Sequence, residues 1–382
     1  MSKHETPMVR FRKHVLHLPG WYPNRTGPQH GDFIKRHLQA LSAVMPVHVI
    51  FVVKDPFLTE SVERLVTRTG NLSETIIYYK PLQTGISALD RLISFHQYRR
   101  LLKKETFGYI RNHGRPDLVH IHVAMRAGIA ALYLWRTFGI PFLVSEHWSG
   151  YYEADPDNYF NRNKIFRKYT QKIFRNAWRV AAVSTDLMKT LSGLFSLTSG
   201  SVIYNVVNTQ LFCYRPAIDR RQFCFIHISN MDPIKNPTGI LRVLARLKEV
   251  RADWKMILVG ESDSGYRELV KELNIGDHVE FKGSVPHESV PGMITQADAL
   301  LMFSNHETLS CVICESLCCG VPVIATRVGG IPEIVNADNG ILCEPRDEDG
   351  LLRIVLEMMN DYKRFDRPAI AAAAVSLFNE AE

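Results

Sequence analysis

Short apolar runs alternate with longer amphipathic segments through the first half of the chain. Runs of this length, bounded by Gly, Pro and polar residues, are typical of strands buried on both faces of a sheet. The intervening segments are long enough to form helices. The runs are His14–Leu18, Val47–Val53, Thr75–Tyr79, Asp117–His122, Ile140–Ser145 and Val180–Ser184. This alternation predicts an α/β fold with a doubly wound parallel sheet.

The second half repeats the pattern after a connector, Asn205–Arg221, that has no clear periodicity. Its runs are Phe223–Ile228, Lys255–Val259, Val279–Phe281, Ala299–Phe303 and Val321–Ala325. Because a chain of 382 residues exceeds the size of one hydrophobic core, we predict two Rossmann-like domains, residues 1–205 and 206–382. The last helix is a candidate to return to the first domain. Ligands bind beyond the carboxyl ends of such strands, so the site is expected in a cleft between two facing sheets.

Two glutamates surround the start of a helix predicted over Leu309–Cys319. Thr308 is an acceptable N-cap, and Gly320 supplies the stop signal. Glu307 then lies at the helix N-terminus and Glu315 about 12 Å further along its axis. The unpaired N–H groups there suit a diphosphate, and carboxylates on either side could bind the hydroxyls of a sugar and a ribose. A nucleotide sugar has these three parts in this order.

The same stretch resembles a known family. Glu307-x7-Glu315 is followed in order by Cys319-Gly320-Val321-Pro322-Val323 and by Val328-Gly329-Gly330-Ile331-Pro332-Glu333. This combination resembles the signature of the retaining glycosyltransferases of family 4, also called glycosyl transferases group 1. The resemblance implies the GT-B fold, in which two facing Rossmann-like domains enclose a cleft.

The resemblance also assigns roles to residues of the first half. The Gly- and Pro-rich loop after the first strand, which contains Gly31, resembles the family loop that approaches donor phosphate and acceptor. His147 closes a later strand and resembles the histidine that faces the donor sugar. His120 and His122 lie two residues apart on the preceding strand and therefore point to one face. We expect these two to be core residues or to support the site.

In the second half, the resemblance implies a donor site. Lys235 matches the lysine that neutralises the diphosphate, assisted by the N–H groups of Thr308, Leu309 and Ser310. Glu315 matches the ribose-binding glutamate, and Glu307 the residue that orients the donor sugar. The loop containing Val285 resembles the one whose backbone contacts the base. Asn230 stands where the family usually has an arginine, so one cation is missing. Either Lys235 and the helix N–H groups suffice, or a residue such as Arg25 or Arg327 compensates, or catalysis is weak.

The charge distribution indicates which binding partners suit the protein, and the absence of several motifs argues against other classes of protein. Residues 1–210 hold 28 Lys and Arg against 14 Asp and Glu, whereas residues 211–382 hold 18 against 25. A basic first half suits an anionic acceptor or an anionic membrane surface, and the lack of a recognised module argues against nucleic acid. No G-x-G-x-x-G follows the first strand and no P-loop is present. The N-terminal segment lacks an apolar stretch, and no membrane span is indicated.

Metal and cofactor are not expected. Cys311, Cys314, Cys318 and Cys319 lie on one predicted helix, where cysteine also serves as a small apolar residue. No Asp-x-Asp motif stands at a strand end. We therefore expect no cofactor, with the nucleotide sugar acting as substrate, and a reduced cytoplasmic protein that is a candidate for peripheral association with the inner face of the membrane.

The resulting hypothesis is a retaining, metal-independent hexosyltransferase. It would move a sugar from a UDP- or GDP-linked donor to a glycan or lipid-linked acceptor in cell-surface polysaccharide synthesis. One alternative is a nucleotide-sugar epimerase of the same architecture, which the basic first half disfavours. Another is a non-catalytic subunit that binds sugar nucleotides, which Asn230 favours.

Overall fold

A computed structural model describes residues 14–197, 199–216, 221–261 and 264–379. The N-terminal segment that lacks an apolar stretch lies almost wholly outside the described residues, as do positions 217–220 of the predicted connector. The described part of the connector contains no helix or strand, apart from one isolated bridge between Val207 and Asn379.

Eight strands form the first sheet within the described residues, in the order β3-β4-β2-β1-β5-β6-β7-β8. They are β1 (Val15–Pro19), β2 (Val47–Lys54), β3 (Val62–Thr69), β4 (Leu72–Tyr79), β5 (Leu118–His122), β6 (Phe142–Glu146), β7 (Arg179–Ala182) and β8 (Gly200–Val202). The helices along this part of the chain are α1 (Asp32–Val44), α2 (Ser87–His113), α3 (Ala127–Phe138), α4 (Lys164–Asn176) and α5 (Thr185–Phe195).

The second sheet has six strands in the described part of the chain, in the order β11-β10-β9-β12-β13-β14. They are β9 (Phe223–Ile228), β10 (Trp254–Val259), β11 (Val279–Gly283), β12 (Ala299–Met302), β13 (Val323–Thr326) and β14 (Gly340–Cys343). The accompanying helices are α6 (Pro237–Val250), α7 (Ser264–Glu272), α8 (Val290–Ile294), α9 (Cys311–Cys318), α10 (Ile331–Ile334), α11 (Glu348–Asp361) and α12 (Arg367–Phe378).

Parallel pairing in both sheets confirms the predicted fold class. Strands β9, β12 and β13 are almost wholly buried, as expected for parallel strands covered on both faces. Some of the crossover helices start at a capping side chain. In α6, for example, Asn236 accepts a hydrogen bond from Gly239 N at 3.1 Å, and Pro237 occupies the first turn.

Three strands were not predicted from the hydrophobic pattern of the sequence. β3 pairs antiparallel with β4 at the edge of the first sheet, and most of its residues are exposed and many charged. A solvated edge strand does not produce the apolar run that marks a buried one. β8 is exposed along its three residues, and the two central residues of β14 are only partly buried, so neither strand gives a buried apolar run.

The chain forms two compact units. The first comprises Met1–Glu146 with Lys168–Val180, and the second comprises His147–Arg167 with Ala181–Glu382; each is considered over its described residues. Helix α12 packs against α9 within the second unit. The domain limits drawn from sequence, 1–205 and 206–382, stay a prediction.

Candidate functional site in the second unit

The loop before α9 carries four of the ten predicted site residues, and its backbone differs from the prediction. Helix α9 begins at Cys311 with Ser310 as N-cap, so Thr308 and Leu309 precede the helix. The Thr308 hydroxyl donates to the carbonyl of His147 at 3.2 Å, and the Leu309 carbonyl accepts from Asn205 at 3.1 Å. These contacts hold the segment extended, so the predicted start at Leu309 is two residues early and Thr308 is not the N-cap.

The Gly-Gly loop packs directly on this segment. Gly329 has a φ of +51°, and a Cβ on it would lie 1.7 Å from the carbonyl oxygen of Glu307. Gly330 N donates to the Thr308 carbonyl at 3.0 Å, and a Cβ there would lie 2.5 Å from the same oxygen. At Gly329 only glycine permits both the left-handed backbone and the close approach, and at Gly330 the close approach alone excludes a side chain. The two glycines therefore fix the position of Glu307.

Glu307 and Lys235 form a partly buried ion pair. The Lys235 ammonium lies 2.6 Å from Glu307 Oε1, which also accepts from Ser304 Oγ at 2.9 Å. Glu307 is 6% exposed, whereas the Lys235 side chain retains 23% exposure. Burial by itself lowers the pKa of Lys235, but the Glu307 carboxylate and, more weakly, Asp232 outweigh it and leave that pKa raised. The lysine is thus held charged beside solvent, ready for an anion.

A turn after β9 positions this lysine. Asp232 Oδ1 accepts from the backbone N–H of Ile234 at 2.9 Å and of Lys235 at 3.3 Å. Asn230 is exposed, and its side-chain amide donates to Asp232 Oδ2 at 2.8 Å. The position at which the family usually has an arginine is therefore an amide bonded within the turn.

Both arginines considered as replacements already form ion pairs. In the first unit, Arg25 contacts Asp55 and Glu63, each at 2.8 Å. In the second, Arg327 contacts Glu344 at 3.4 Å.

Glu315 is buried inside α9 and bonded to a histidine that the sequence reading missed. Its Oε1 lies 2.8 Å from Nε2 of His287, in the 3-10 turn that follows the loop containing Val285. Glu315 is 4% exposed, while Val285 is partly exposed. His287 could have been suspected, because a His after a Pro at a strand-to-helix turn lies at the carboxyl end of a strand.

His147 and His306 lie beside the same loop. His147 is 8% exposed, and its carbonyl receives the Thr308 hydroxyl. His306, which precedes Glu307, is buried against the Tyr152 ring with centroids 4.1 Å apart. Burial lowers the pKa of His306 despite the neighbouring Glu307 carboxylate, so its imidazole is neutral near pH 7. His306 was not predicted as a site residue, because the motif was identified from its neighbour Glu307.

Glu333, in the GGIPE motif, caps a helix. Its two carboxylate oxygens accept from the backbone N–H groups of Thr185 and Asp186, both at 2.8 Å, at the start of α5. A carboxylate at a helix N-terminus satisfies orphan donors and complements the helix dipole. The motif glutamate thus has a structural role that sequence reasoning did not assign.

Gly31 lies in the first unit, as the N-cap of α1. Its φ is +74°, and a Cβ on it would lie 2.6 Å from the backbone carbon of Trp21. A side chain at this position is excluded, which explains the glycine whatever else it binds.

The cysteines of α9 behave as apolar residues. Cys314, Cys318 and Cys319 are fully buried, and burial raises the pKa of each thiol, to about 12 for Cys318 and Cys319. Protonated thiols are poor metal ligands. Over the described residues, no helix is both long and apolar enough to cross a bilayer.

Two family models match the chain. The model described as Glycosyltransferase Family 4 matches residues 34–211, and the one described as Glycosyl transferases group 1 matches residues 215–374. Between them they leave little of the chain unmatched. The second model spans the site residues from Asn230 to Glu333, the first contains His147, and Gly31 lies just before the first.

Similar proteins agree with these matches. N-acetyl-alpha-D-glucosaminyl L-malate synthase of Bacillus anthracis is 27% identical over 259 residues, covering 64% of this chain and 66% of that relative, just under two thirds of its length. Sucrose-phosphate synthase from Thermosynechococcus elongatus superposes with a TM-score of 0.78 at 20% identity, covering 96% of this chain and 95% of the other. Anabaena Alr3699/HepE in complex with UDP gives a TM-score of 0.72 at 18% identity, covering 96% of each. The chain therefore belongs to glycosyltransferase family 4 and is a glycosyltransferase of the GT-B fold.

Proposed function

We propose that this enzyme retains anomeric configuration while moving a sugar from a nucleotide-diphosphate donor to a glycan or lipid-linked acceptor in cell-surface polysaccharide synthesis. The observation that carries the proposal is the Lys235–Glu307 pair beside the loop that precedes α9. It sets a charged ammonium and a carboxylate 2.6 Å apart at the carboxyl ends of parallel strands, where such sheets bind ligands.

Lys235 is the proposed partner of the diphosphate. Its charge is maintained by Glu307, and its ammonium is accessible enough to accept a second anion. As the glycosidic bond breaks, negative charge grows on the departing diphosphate, and a cation positioned in advance lowers the barrier. The N–H groups of Thr308, Leu309 and Ser310 are proposed to assist, and Asn230 contributes a neutral amide where an arginine is usual.

Glu307, Glu315 and His147 are proposed to position the rest of the donor. Glu307 keeps a second carboxylate oxygen for sugar hydroxyls while the first holds Lys235 and Ser304. Glu315 exchanges or shares its His287 contact to bind ribose hydroxyls, with the backbone at Val285 near the base. His147 is assigned to the transferred sugar. No metal is required, because Lys235 supplies the positive charge.

The donor is proposed to be UDP-linked in the first instance. The HepE structure is a complex with UDP, and the Bacillus anthracis relative is named for an N-acetylglucosaminyl product. UDP-N-acetylglucosamine and UDP-glucose are therefore the first donors to test, with GDP-mannose as the GDP-linked comparison. Family membership favours transfer over epimerisation.

The decisive experiment measures binding and turnover separately. Isothermal titration with UDP, GDP and ADP should show one nucleotide bound selectively. Its sugar conjugates should then release nucleoside diphosphate faster when lipid or glycan extracts are added. A chain that binds none of these nucleotides, or whose product is an epimerised donor formed without acceptor, would contradict the proposal.

A further inference from the structure

Three histidines lie together on one face of the first sheet. In the parallel pair of β1 and β5, His17 stands opposite His120 and Pro19 opposite His122. Opposed residues of a parallel pair share a face, as do residues two apart on one strand. The ring centroids of His17 and His120 are 5.1 Å apart, those of His17 and His122 6.0 Å, and those of His120 and His122 4.0 Å.

His17 differs from an ordinary buried polar residue in its hydrogen bonding. It is fully buried, and neither ring nitrogen has a hydrogen-bond partner among the described residues. Leaving a buried polar nitrogen unbonded costs free energy. Its ring nitrogens are therefore available to a metal ion, for which histidine is the commonest protein ligand.

The geometry of the cluster suits a cation. One nitrogen from each ring lies within 4.8 Å of the other two, and in the described part of the chain no other set of three His, Cys, Asp or Glu side chains meets this condition. Zn–N bonds of about 2.0–2.1 Å would bring the three nitrogens to about 3.4 Å from one another, so modest ring rotations close the set. His120 Nε2 already lies 2.8 Å from Ser145 Oγ, the kind of outer contact that orients a metal-bound imidazole.

We propose that His17, His120 and His122 bind one transition-metal dication of the Zn²⁺ class. Three imidazoles without thiolate or carboxylate suit zinc and its neighbours and disfavour Mg²⁺ and Ca²⁺. The cation ties β1 to β5 directly below the loops that follow them. There, Gly20 N donates to the His122 carbonyl at 2.6 Å, and Val123 has a φ of +66°. The role is structural and separate from the transfer chemistry.

The test compares metal binding in wild type and in His17→Leu, using protein freed of metal and of any affinity tag. Leucine has a similar volume and needs no hydrogen bond, so the variant should fold. Wild type should bind one Zn²⁺ per chain in competition with a chromophoric chelator, and Zn²⁺ should raise its Tm by a few degrees. Co²⁺ in its place should give the intense visible absorption of tetrahedral coordination. His17→Leu should lose all three responses.

His96→Ala is the matched control, because His96 is exposed on α2; it should behave as wild type. His120→Ala provides an independent check if His17→Leu fails to fold, since His120 is only partly buried. Equal zinc affinity in wild type and either cluster variant would overturn the proposal. So would a wild-type Tm that does not respond to Zn²⁺.

Discussion

At the scale of single residues, each of the two glutamates of the candidate site has a side-chain partner. Glu307 is bonded to Lys235 and Glu315 to His287. Each carboxylate therefore has a partner that keeps it oriented. Pre-orientation of this kind reduces the reorganisation needed when charge develops in the transition state.

The two glutamates should fail differently when neutralised. Glu315→Gln is expected to weaken nucleoside diphosphate binding about tenfold or more, as loss of a charged hydrogen bond implies. Glu307→Gln should chiefly lower kcat, because the transferred sugar is its proposed partner. Titration calorimetry and steady-state kinetics separate the two effects.

Glu268→Gln serves as the control for this pair. Glu268 is exposed on α7, so the change should leave both constants unaltered. Wild-type nucleotide affinity in Glu315→Gln would remove the ribose assignment.

The sequence predicts those site residues whose positions follow from the order of strands and helices. It does not predict other contacts between residues that are distant in the sequence. Lys235 and Glu307 are 72 positions apart, yet both follow strands whose carboxyl ends meet, so their proximity follows from the topology. His287 was missed because its value depends on reaching Glu315, 28 positions away. The start of α9 was misplaced because the Thr308 hydroxyl bonds the His147 carbonyl, 161 positions distant. No local propensity contains that contact.

At the scale of elements, the Gly329–Gly330 loop determines where the segment before α9 lies. The carbonyl of Glu307 occupies the space that a side chain on Gly329 would need. Strand β13 and this loop thus act as a template against which the segment before α9 is set.

Gly329→Ala should displace Glu307 and lower turnover. The left-handed backbone alone costs about 1–3 kcal/mol for a non-glycine residue, and the contact at 1.7 Å forces the loop apart. We expect a lower Tm together with a loss of activity larger than the loss of folded protein.

The control for Gly329 is Gly276→Ala. Gly276 is exposed beyond α7 and has no heavy atom near its Cβ position, so activity and Tm should hold. A Gly329→Ala enzyme with unchanged kcat and Tm would refute the template role.

Strand β9 carries a pH-dependent element of stability. His227 is fully buried between the Leu301 carbonyl and Ser229 Oγ, each at 2.8 Å. Burial lowers its pKa to about 4, with the Leu301 hydrogen bond and Glu307 opposing and Lys235 assisting the shift. Because the folded state resists protonation, stability is complete above about pH 6.5 and is lost as the pH falls toward 4.

The expected loss is about 3 kcal/mol, at 1.36 kcal/mol per pKa unit. His227→Gln retains hydrogen-bonding capacity but does not titrate, so its unfolding free energy should fall less between pH 7 and pH 4 than that of wild type. Chemical denaturation at the two pH values measures the difference. Parallel losses in both proteins would show that His227 does not govern the acid response.

At the scale of the whole molecule, charge divides the chain unequally. The first 210 residues are strongly basic and the rest acidic. Helix α4 concentrates part of this charge, with Lys164, Lys168 and Arg175 exposed and Ile165 67% exposed beside them. Its Ile173 and Phe174 are buried in the core, so only the first turn presents an apolar residue to solvent.

This distribution predicts binding to anionic membranes, where a lipid-linked acceptor would be found. Each cation near such a surface contributes about 1 kcal/mol. Co-sedimentation with liposomes should therefore rise with phosphatidylserine content, fall with added salt, and weaken when Lys164, Lys168 and Lys172 are all changed to Gln.

Changing Lys255, Lys271 and Lys363 to Gln removes the same amount of charge from the acidic half. This variant should co-sediment with liposomes as wild type does. Binding that ignores lipid charge would disprove membrane docking without affecting the transferase assignment.

The Glu333 cap on α5 has a consequence for dividing the protein into fragments. Glu333 lies 148 positions beyond Thr185, so a fragment of residues 206–382 contains the carboxylate but lacks the helix start that it caps. In that fragment the Glu333 carboxylate would lack the backbone N–H groups of Thr185 and Asp186. If the two fragments are produced separately, the fragment of residues 181–382 should resist limited proteolysis longer than the fragment of residues 206–382. Residues 206–382 are thus completed by the chain segment that precedes them.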